Sequence, residues 1–297
     1  MSVKRFFIFA LATAIIASPI SASACSTCLC GDPTLTLMGA EKPYAGRKRV
    51  SLEYLARSET LGLRGVDRLS VDEQRLSLGL SWAINQRVSL SLRLPFIDKQ
   101  VETANLAQID TQALGDIDLL ARLYLQGDTG MSKGQYGLTL GLRLPSAEEQ
   151  TSASGEPFDI DAQPGVGAYV PQLGVWYSSF SFPWLLHTSS TVLYSTEGDQ
   201  DFKPGTAVTL TVLGQYATDY RLAWQLGLDS RWSEKDEYAG EPDGNSGGWF
   251  TFVTPGLVFT LLDDLLLNAR VQVPLVDSLN GRHDEDTTFN LGITYDF

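Results

Sequence analysis

The chain has 297 residues, 43% of them hydrophobic and 19% charged, and its 22 basic residues against 35 acidic ones give a formal net charge of −13 at pH 7. No clustered basic residues are available to meet phosphates, which excludes a nucleic-acid partner. After residue 24 no run approaches the ~18 consecutive apolar residues of a membrane-crossing helix, so any membrane is crossed by strands.

The first element is MSVKRFFIFALATAIIASPISASA, in which Lys4 and Arg5 precede an apolar run from Phe6 to Ile16 and the small residues Ala22-Ser23-Ala24 follow. This is the pattern of a secretory signal peptide with an Ala-x-Ala cleavage site, residues 1–24. Cleavage after Ala24 makes Cys25 the first residue of the mature chain. Cys25, Cys28 and Cys30 are all the cysteines of the protein. They head a segment, residues 25–47, expected to be a periplasmic leader or a plug reaching into a barrel. Three fates stay open for the thiols: a Cys25–Cys28 disulfide with one thiol over, lipidation of Cys25, or a soft-metal or redox site. Cu(I) is the first choice of metal and zinc the second, with the Cys25 amine or Asp32 as a fourth ligand. Three thiols in six residues close only tiny loops and staple nothing distant, so a local function is expected.

From residue 48 the pattern becomes period-two, as in Leu76-Ser77-Leu78-Gly79-Leu80-Ser81-Trp82 and Leu138-Thr139-Leu140-Gly141-Leu142-Arg143-Leu144, the signature of strands. The strands are expected near 48–57, 70–83, 87–98, 114–126, 135–145, 165–180, 184–196, 205–217, 220–233, 248–261, 264–275 and 287–297. Their connections alternate between short ones, such as Asn85-Gln86, Thr218-Asp219 and Leu262-Asp263, and long polar ones at 146–164, 234–247 and 276–286. Short turns at one rim, long loops at the other and an even strand number describe a bacterial outer-membrane barrel. The expected fold of residues 48–297 is therefore an all-β transmembrane antiparallel β-barrel of about twelve strands with both termini periplasmic, in the outer membrane of a Gram-negative bacterium.

If the apolar set faces lipid, the opposite set carries Glu53, Arg57, Arg75, Arg93, Asp116, Asp118, Arg122, Arg143, Arg221, Asp229, Arg231 and Arg270. A dry core could not hold so many charges, whereas a wet lumen can. Arg93, Arg143 and Arg270 share one phase and are expected to form a positive lining facing Asp116, Asp118 and Asp229. Trp82, Tyr136, Tyr216, Trp224 and Trp232 fall on the outward set, where interfacial aromatic belts form. His187 and Ser189 are two apart, as in the His-x-Ser pair of outer-membrane phospholipases and lipid A deacylases, but their phase points them into the lumen and no enzyme is expected. The long loops are acidic and suited to sharing divalent ions with lipopolysaccharide.

The last nine residues, Phe289 to Phe297, are large and apolar at every odd position. They resemble the terminal strand signal of Gram-negative outer-membrane barrels, which implies that Tyr295 and Phe297 are read by the barrel-assembly machinery. Arg93-Leu94-Pro95, Arg143-Leu144-Pro145 and Gln272-Val273-Pro274 each end a strand with a polar residue, an apolar one and a proline. They are similar to the strand ends of the barrel family of transporters of the meta-cleavage pathway of phenol degradation. That resemblance implies outer-membrane passage of small molecules and carries no catalytic residue. The expected function is a pore or transporter for small solutes with a CxxCxC segment for soft-metal or redox contact. The alternative is a non-conducting partner barrel that docks a periplasmic redox or metal-carrying protein.

Overall fold

The alternation of Leu with Ser, Gly and Arg produces the expected antiparallel ladder. The structure, a computed structural model, describes residues 46–62, 68–103, 105–125, 134–219, 221–281 and 283–297. The expected signal peptide, residues 1–24, and Cys25, Cys28 and Cys30 lie outside the described residues. Twelve antiparallel strands follow one another: β1 (Lys48–Leu61), β2 (Leu69–Asn85), β3 (Val88–Glu102), β4 in two pieces (Gln108–Leu114 and Ile117–Tyr124), β5 (Gly134–Leu144), β6 (Val170–Ser181), β7 (Trp184–Leu193), β8 (Ala207–Ala217), β9 (Leu222–Ser233), β10 (Gly248–Leu262), β11 (Leu265–Leu279), and β12 in two pieces (His283–Glu285 and Thr288–Asp296). Each pairs with its neighbours in sequence, and β1 pairs with both β2 and β12, which closes the sheet into a barrel. Closure pairs the lower part of every strand on both sides, the condition for strands to cross a lipid layer, and leaves one-sided pairing to loop-end pieces such as Gln108–Leu114. Among the described residues no helix is long and apolar enough to cross a membrane.

The outer face carries Leu76, Leu78, Leu80 and Trp82 on β2, Leu226 and Leu228 on β9, and Leu291, Ile293 and Tyr295 on β12, all exposed. The inner face carries Ser51, Glu53 and Arg57, Ser77, Ser89 and Ser91, Thr209 and Thr211, all buried. Apolar outside and polar inside is the inverse of a water-soluble barrel, and it fits a lipid exterior with a hydrated lumen.

Four departures from the expected strands have physical causes. β4 begins at Gln108 rather than 114, because above Leu114 the alternation continues while the chemistry inverts: Asp110 and Gln112 are exposed, Thr111 is buried and Ile109 packs inward. The same inversion occurs at the tops of β2 and β3, where Val71 and Val101 form a small apolar cluster with Ala162 while Asp72 and Gln100 point out. β4 breaks at Gly115 and Asp116 opposite Pro95, whose carbonyl takes the Gly115 N–H at 2.8 Å but which has no N–H to return. On β11 the register slips by one residue beside Pro274, leaving Leu275 and Val276 both exposed. Finally, β6 starts at Val170, because residues 145–169 turn into the barrel instead of extending the strand.

That inward segment is held at both ends. Its 3₁₀ turn, Ile160–Ala162, is capped by the Asp159 carboxylate, which accepts from the Asp161 N–H at 3.3 Å. The Gln163 side chain bonds the Gln150 backbone in both directions and donates to the Phe158 carbonyl at 2.8 Å. Lys99 and Thr111, on the barrel wall, donate to the carbonyls of Gln163 and Ala162 at 2.7 and 2.8 Å. A second loop element is a three-stranded miniature sheet of Phe202–Lys203, Glu237–Tyr238 and Glu241–Pro242.

Candidate functional site: the lumen and its loop-end chamber

At the end carrying the short turns, the first and last strands are clasped by charge. Asp296 accepts from Arg49 Nε at 2.5 Å and Arg49 NH2 at 2.7 Å, and from Arg47, while Lys48 and Phe297 exchange two backbone hydrogen bonds. Just above, Arg122 lies with its guanidinium carbon 4.0 Å from the ring centre of Trp176, a cation–π contact. Tyr124 meets the same indole edge-on at 4.8 Å. All three are buried inside the barrel. Trp176 lies here because Gly137 has no side chain; a Cβ there would sit 2.7 Å from the indole. His187 is fully buried, its Nδ1 2.6 Å from Ser178 Oγ, and Ser189 is buried beside it on β7. Neither reaches the outer, lipid-facing surface, so a lipid-hydrolysing pair does not form.

Higher in the lumen, Glu53 is buried on β1 and Arg270 is half-buried on β11, its backbone opposite Gly256 and Asn290. Asp229 accepts hydroxyl hydrogen bonds from Thr211 at 2.8 Å and Thr254 at 2.7 Å, with Gln272 at 3.5 Å. Its charge is thus met by neutral donors on both flanking strands, not by an arginine across the lumen.

The end carrying the long loops encloses a chamber of about 500 Å³. One wall is ionic. Glu73 on β2 joins Arg57 of β1 and Arg75, at 2.6 and 2.5 Å. Asp118 on β4 joins Arg93 of β3 and Arg143 of β5, at 2.5 and 3.0 Å. The second trio follows from register, since Arg93 stands opposite Asp118 and Asp118 opposite Arg143 in successive ladders. Arg93 and Arg143 therefore meet Asp118, one of the carboxylates they were expected to face, and they do so from the two strands adjacent to it. Asp116 lines the chamber too, but its carboxylate is turned onto backbone: it accepts from the N–H groups of Ser146 and Ala147 at 3.1 Å and Val166 at 3.3 Å. Gly165 allows this clasp, because a Cβ there would lie 2.6 Å from Asp116 Oδ1.

The facing wall is largely apolar, with Val170, Leu193, Phe202, Pro204, Ala207 and Phe250. The rim is acidic, with Asp161, Asp236 and Asp243 beside His283 and Arg231. Burial pushes the Asp236 carboxyl up and the His283 imidazole down from their ordinary values. Asp236 holds two loops together, accepting from the Gly205 N–H at 2.7 Å while its own N–H donates to Ser246 Oγ at 2.7 Å.

Of the chamber's ionic wall, the sequence-derived lining lacks Glu73 and Lys99. The signal was present: Glu73 is two residues from Arg75, and Lys99 is six from Arg93, both on the inward phase. The outward residues beside them, Asp72, Gln74, Asp98 and Gln100, are polar and hide the alternation. The contributions of Ile160, Gln163, Phe202 and Asp236 come from loops and have no period to read.

No family model matches the sequence, and no curated protein matches it. Among solved structures, an outer-membrane channel from Pseudomonas putida F1 is 16% identical, with 90% of this chain and 100% of that chain covered and a TM-score of 0.70. The translocator domain of the autotransporter NalP from Neisseria meningitidis is 10% identical, with 89% and 93% covered and a TM-score of 0.50. The chain thus has the fold of Gram-negative outer-membrane β-barrels, and its apolar exterior is the surface such a barrel presents to lipid.

Proposed function

We propose that the protein is a non-enzymatic outer-membrane pore or transporter for small solutes, with its long loops outside the cell and both termini in the periplasm. The observation that carries this reading is the loop-end chamber, where an ionic wall from β2 to β5 faces an apolar wall from β6 to β10. A solute with a polar head and an apolar body can satisfy both walls at once, whereas a purely apolar one leaves the ionic wall without compensation. The fold likeness to a Pseudomonas putida protein that is itself an outer-membrane channel supports the same reading. The exposed, stacked rings of Tyr295 and Phe297, 6.0 Å apart at the end of β12, suit recognition by the barrel-assembly machinery. Outer-membrane lipid and lipopolysaccharide are the surroundings this exterior calls for.

Reconstituting the mature protein in planar bilayers tests this function. Discrete conductance steps are expected, and silent bilayers despite inserted, folded barrel would reject the pore in favour of a non-conducting barrel that docks a periplasmic redox or metal-carrying protein. Within the same reading, Cys25, Cys28 and Cys30 add a soft-metal or redox contact on the periplasmic side, with Cu(I) or zinc as the ion. Metal content and free thiols compared between the native chain and its triple Cys→Ser variant decide that part independently.

A further inference from the structure

Three guanidinium groups, Arg75, Arg93 and Arg143, come from three strands of one wall and line the same chamber. Each keeps part of its side chain open to that space, 16%, 12% and 16% respectively. They are close enough for Arg93 and Arg143 to act electrostatically on Arg75. The carboxylates that serve them directly are Glu73, which Arg75 shares with Arg57, and Asp118, which Arg93 shares with Arg143. A guanidinium carries five N–H donors. Arg75 uses NH2 on Glu73, while its Nε is buried with no hydrogen-bond partner among the described residues. Buried donors without acceptors are costly, so this wall has donor capacity that its own carboxylates do not fill.

We propose that Arg75, Arg93 and Arg143 form a binding subsite for the carboxylate of an organic acid whose apolar body packs on the facing wall. This rests on the chamber being a solute site, and it names the class of solute. Asp118 shows how the wall takes a carboxylate: Arg93 donates to it from Nε at 3.1 Å and NH2 at 2.5 Å, and Arg143 from Nε at 3.0 Å. The planar fork of arginine matches a planar carboxylate, which a lysine at these positions would not reproduce. The apolar body has Pro95 and Ile97 immediately beside the guanidinium groups and Val170 and Phe250 on the facing side. The chamber volume is in the range of about 300–1,000 Å³ typical of sites for small organic ligands. The rim carboxylates Asp161, Asp236 and Asp243 carry the opposite sign. They set the competing possibility, an ammonium-headed ligand held at the rim.

The test is ¹⁹F NMR of the full mature protein in lipid nanodiscs with three matched probes: 4-fluorobenzoate, 4-fluorobenzyl alcohol and 4-fluorobenzylammonium. Protein-dependent line broadening is expected for the benzoate well above the other two, and it should be competed by unlabelled benzoate. Arg75→Gln should weaken the benzoate by about tenfold, the equivalent of one charge-assisted hydrogen bond, and leave the alcohol unchanged. Arg75→Lys should recover only part of the loss. Heat-modifiable migration of each variant establishes that the barrel is folded, and Gln112→Ala, on the outer face, serves as a control with native binding. Equal broadening by benzoate and alcohol, stronger broadening by the ammonium probe, or native benzoate binding in folded Arg75→Gln would each overturn the subsite. Benzoate binding by a barrel that conducts nothing would sink the pore instead and leave the subsite standing.

Discussion

Below Leu76, Phe96 and Leu114, the outward side chains of strands β2, β3 and β4 are apolar; above those residues the outward ones are polar, and the inward ones mix Val71, Ile97, Val101 and Ile109 with Glu73, Lys99 and Thr111. Backbone phase is kept across this line on β2 and β3, and on β4 it shifts by one residue at the break at Gly115 and Asp116. What changes is the medium on the outer side, from lipid to water, so Asp72, Gln74, Gln100, Asp110 and Gln112 replace leucines. The inner side changes with it, because residues 158–162 of the inward loop supply apolar atoms for Val71 and Val101 to pack against. The lower part is organised as a membrane protein and the upper part as a soluble sheet covered by a loop.

The largest effect that separates the two parts comes from a charge on the outer face. Leu78→Arg, in the lower part, should cost about 2–4 kcal/mol of barrel stability if it lies near the bilayer midplane. Gln112→Arg, in the upper part, should be nearly neutral. Equal costs in urea unfolding from lipid vesicles would erase the distinction. Next comes the inner apolar cluster, where Val101→Ala should cost about 2 kcal/mol through lost burial and the cavity left behind. Because the cluster holds the loop, the readout is faster proteolysis within residues 145–169 while the barrel itself stays folded.

The third effect sits on the ionic wall just below. Asp118→Asn keeps acceptor geometry but removes the charge between Arg93 and Arg143, so a conducting barrel should shift its reversal potential toward anion selectivity. An unchanged potential would place the conducting path away from β3–β5. The smallest effect is acid-dependent and belongs to the loops. Burial raises the Asp236 carboxyl, so the docked loop binds a proton more readily than the undocked loop does. Docking therefore strengthens as pH falls through the raised value and holds at a constant, stronger level below the ordinary aspartate pKa, about 4. Asp236→Asn should flatten that dependence of loop proteolysis, since the amide oxygen still accepts from Gly205 without a charge to bury.

How much of this could be read from sequence follows the same division. Leu76-Ser77-Leu78-Gly79-Leu80 announces a lipid-facing strand because lipid demands uninterrupted apolar alternation, and the barrel and its strand count follow from such stretches. Gln108-Ile109-Asp110-Thr111-Gln112 alternates just as regularly, yet its buried positions are a mixture and its exposed ones polar, so nothing marks which side is inside. Pairing was out of reach for a different reason. That Arg93 and Arg143 converge on Asp118 depends on ladder register, which the break opposite Pro95 helps to set and which no spacing along one strand contains. The chamber was least legible, since half of its lining comes from loops whose folding depends on the wall they land on.

Asp118 also bears on time rather than position. A carboxylate tethered between two guanidinium groups acts as a permanent competitor at very high local concentration, so an incoming acid must share donors with it rather than capture them outright. Residence is thereby kept short. A site that gripped its solute without such a rival would fill and stop, while one that yields its donors only in part lets each visitor go, which is what throughput requires.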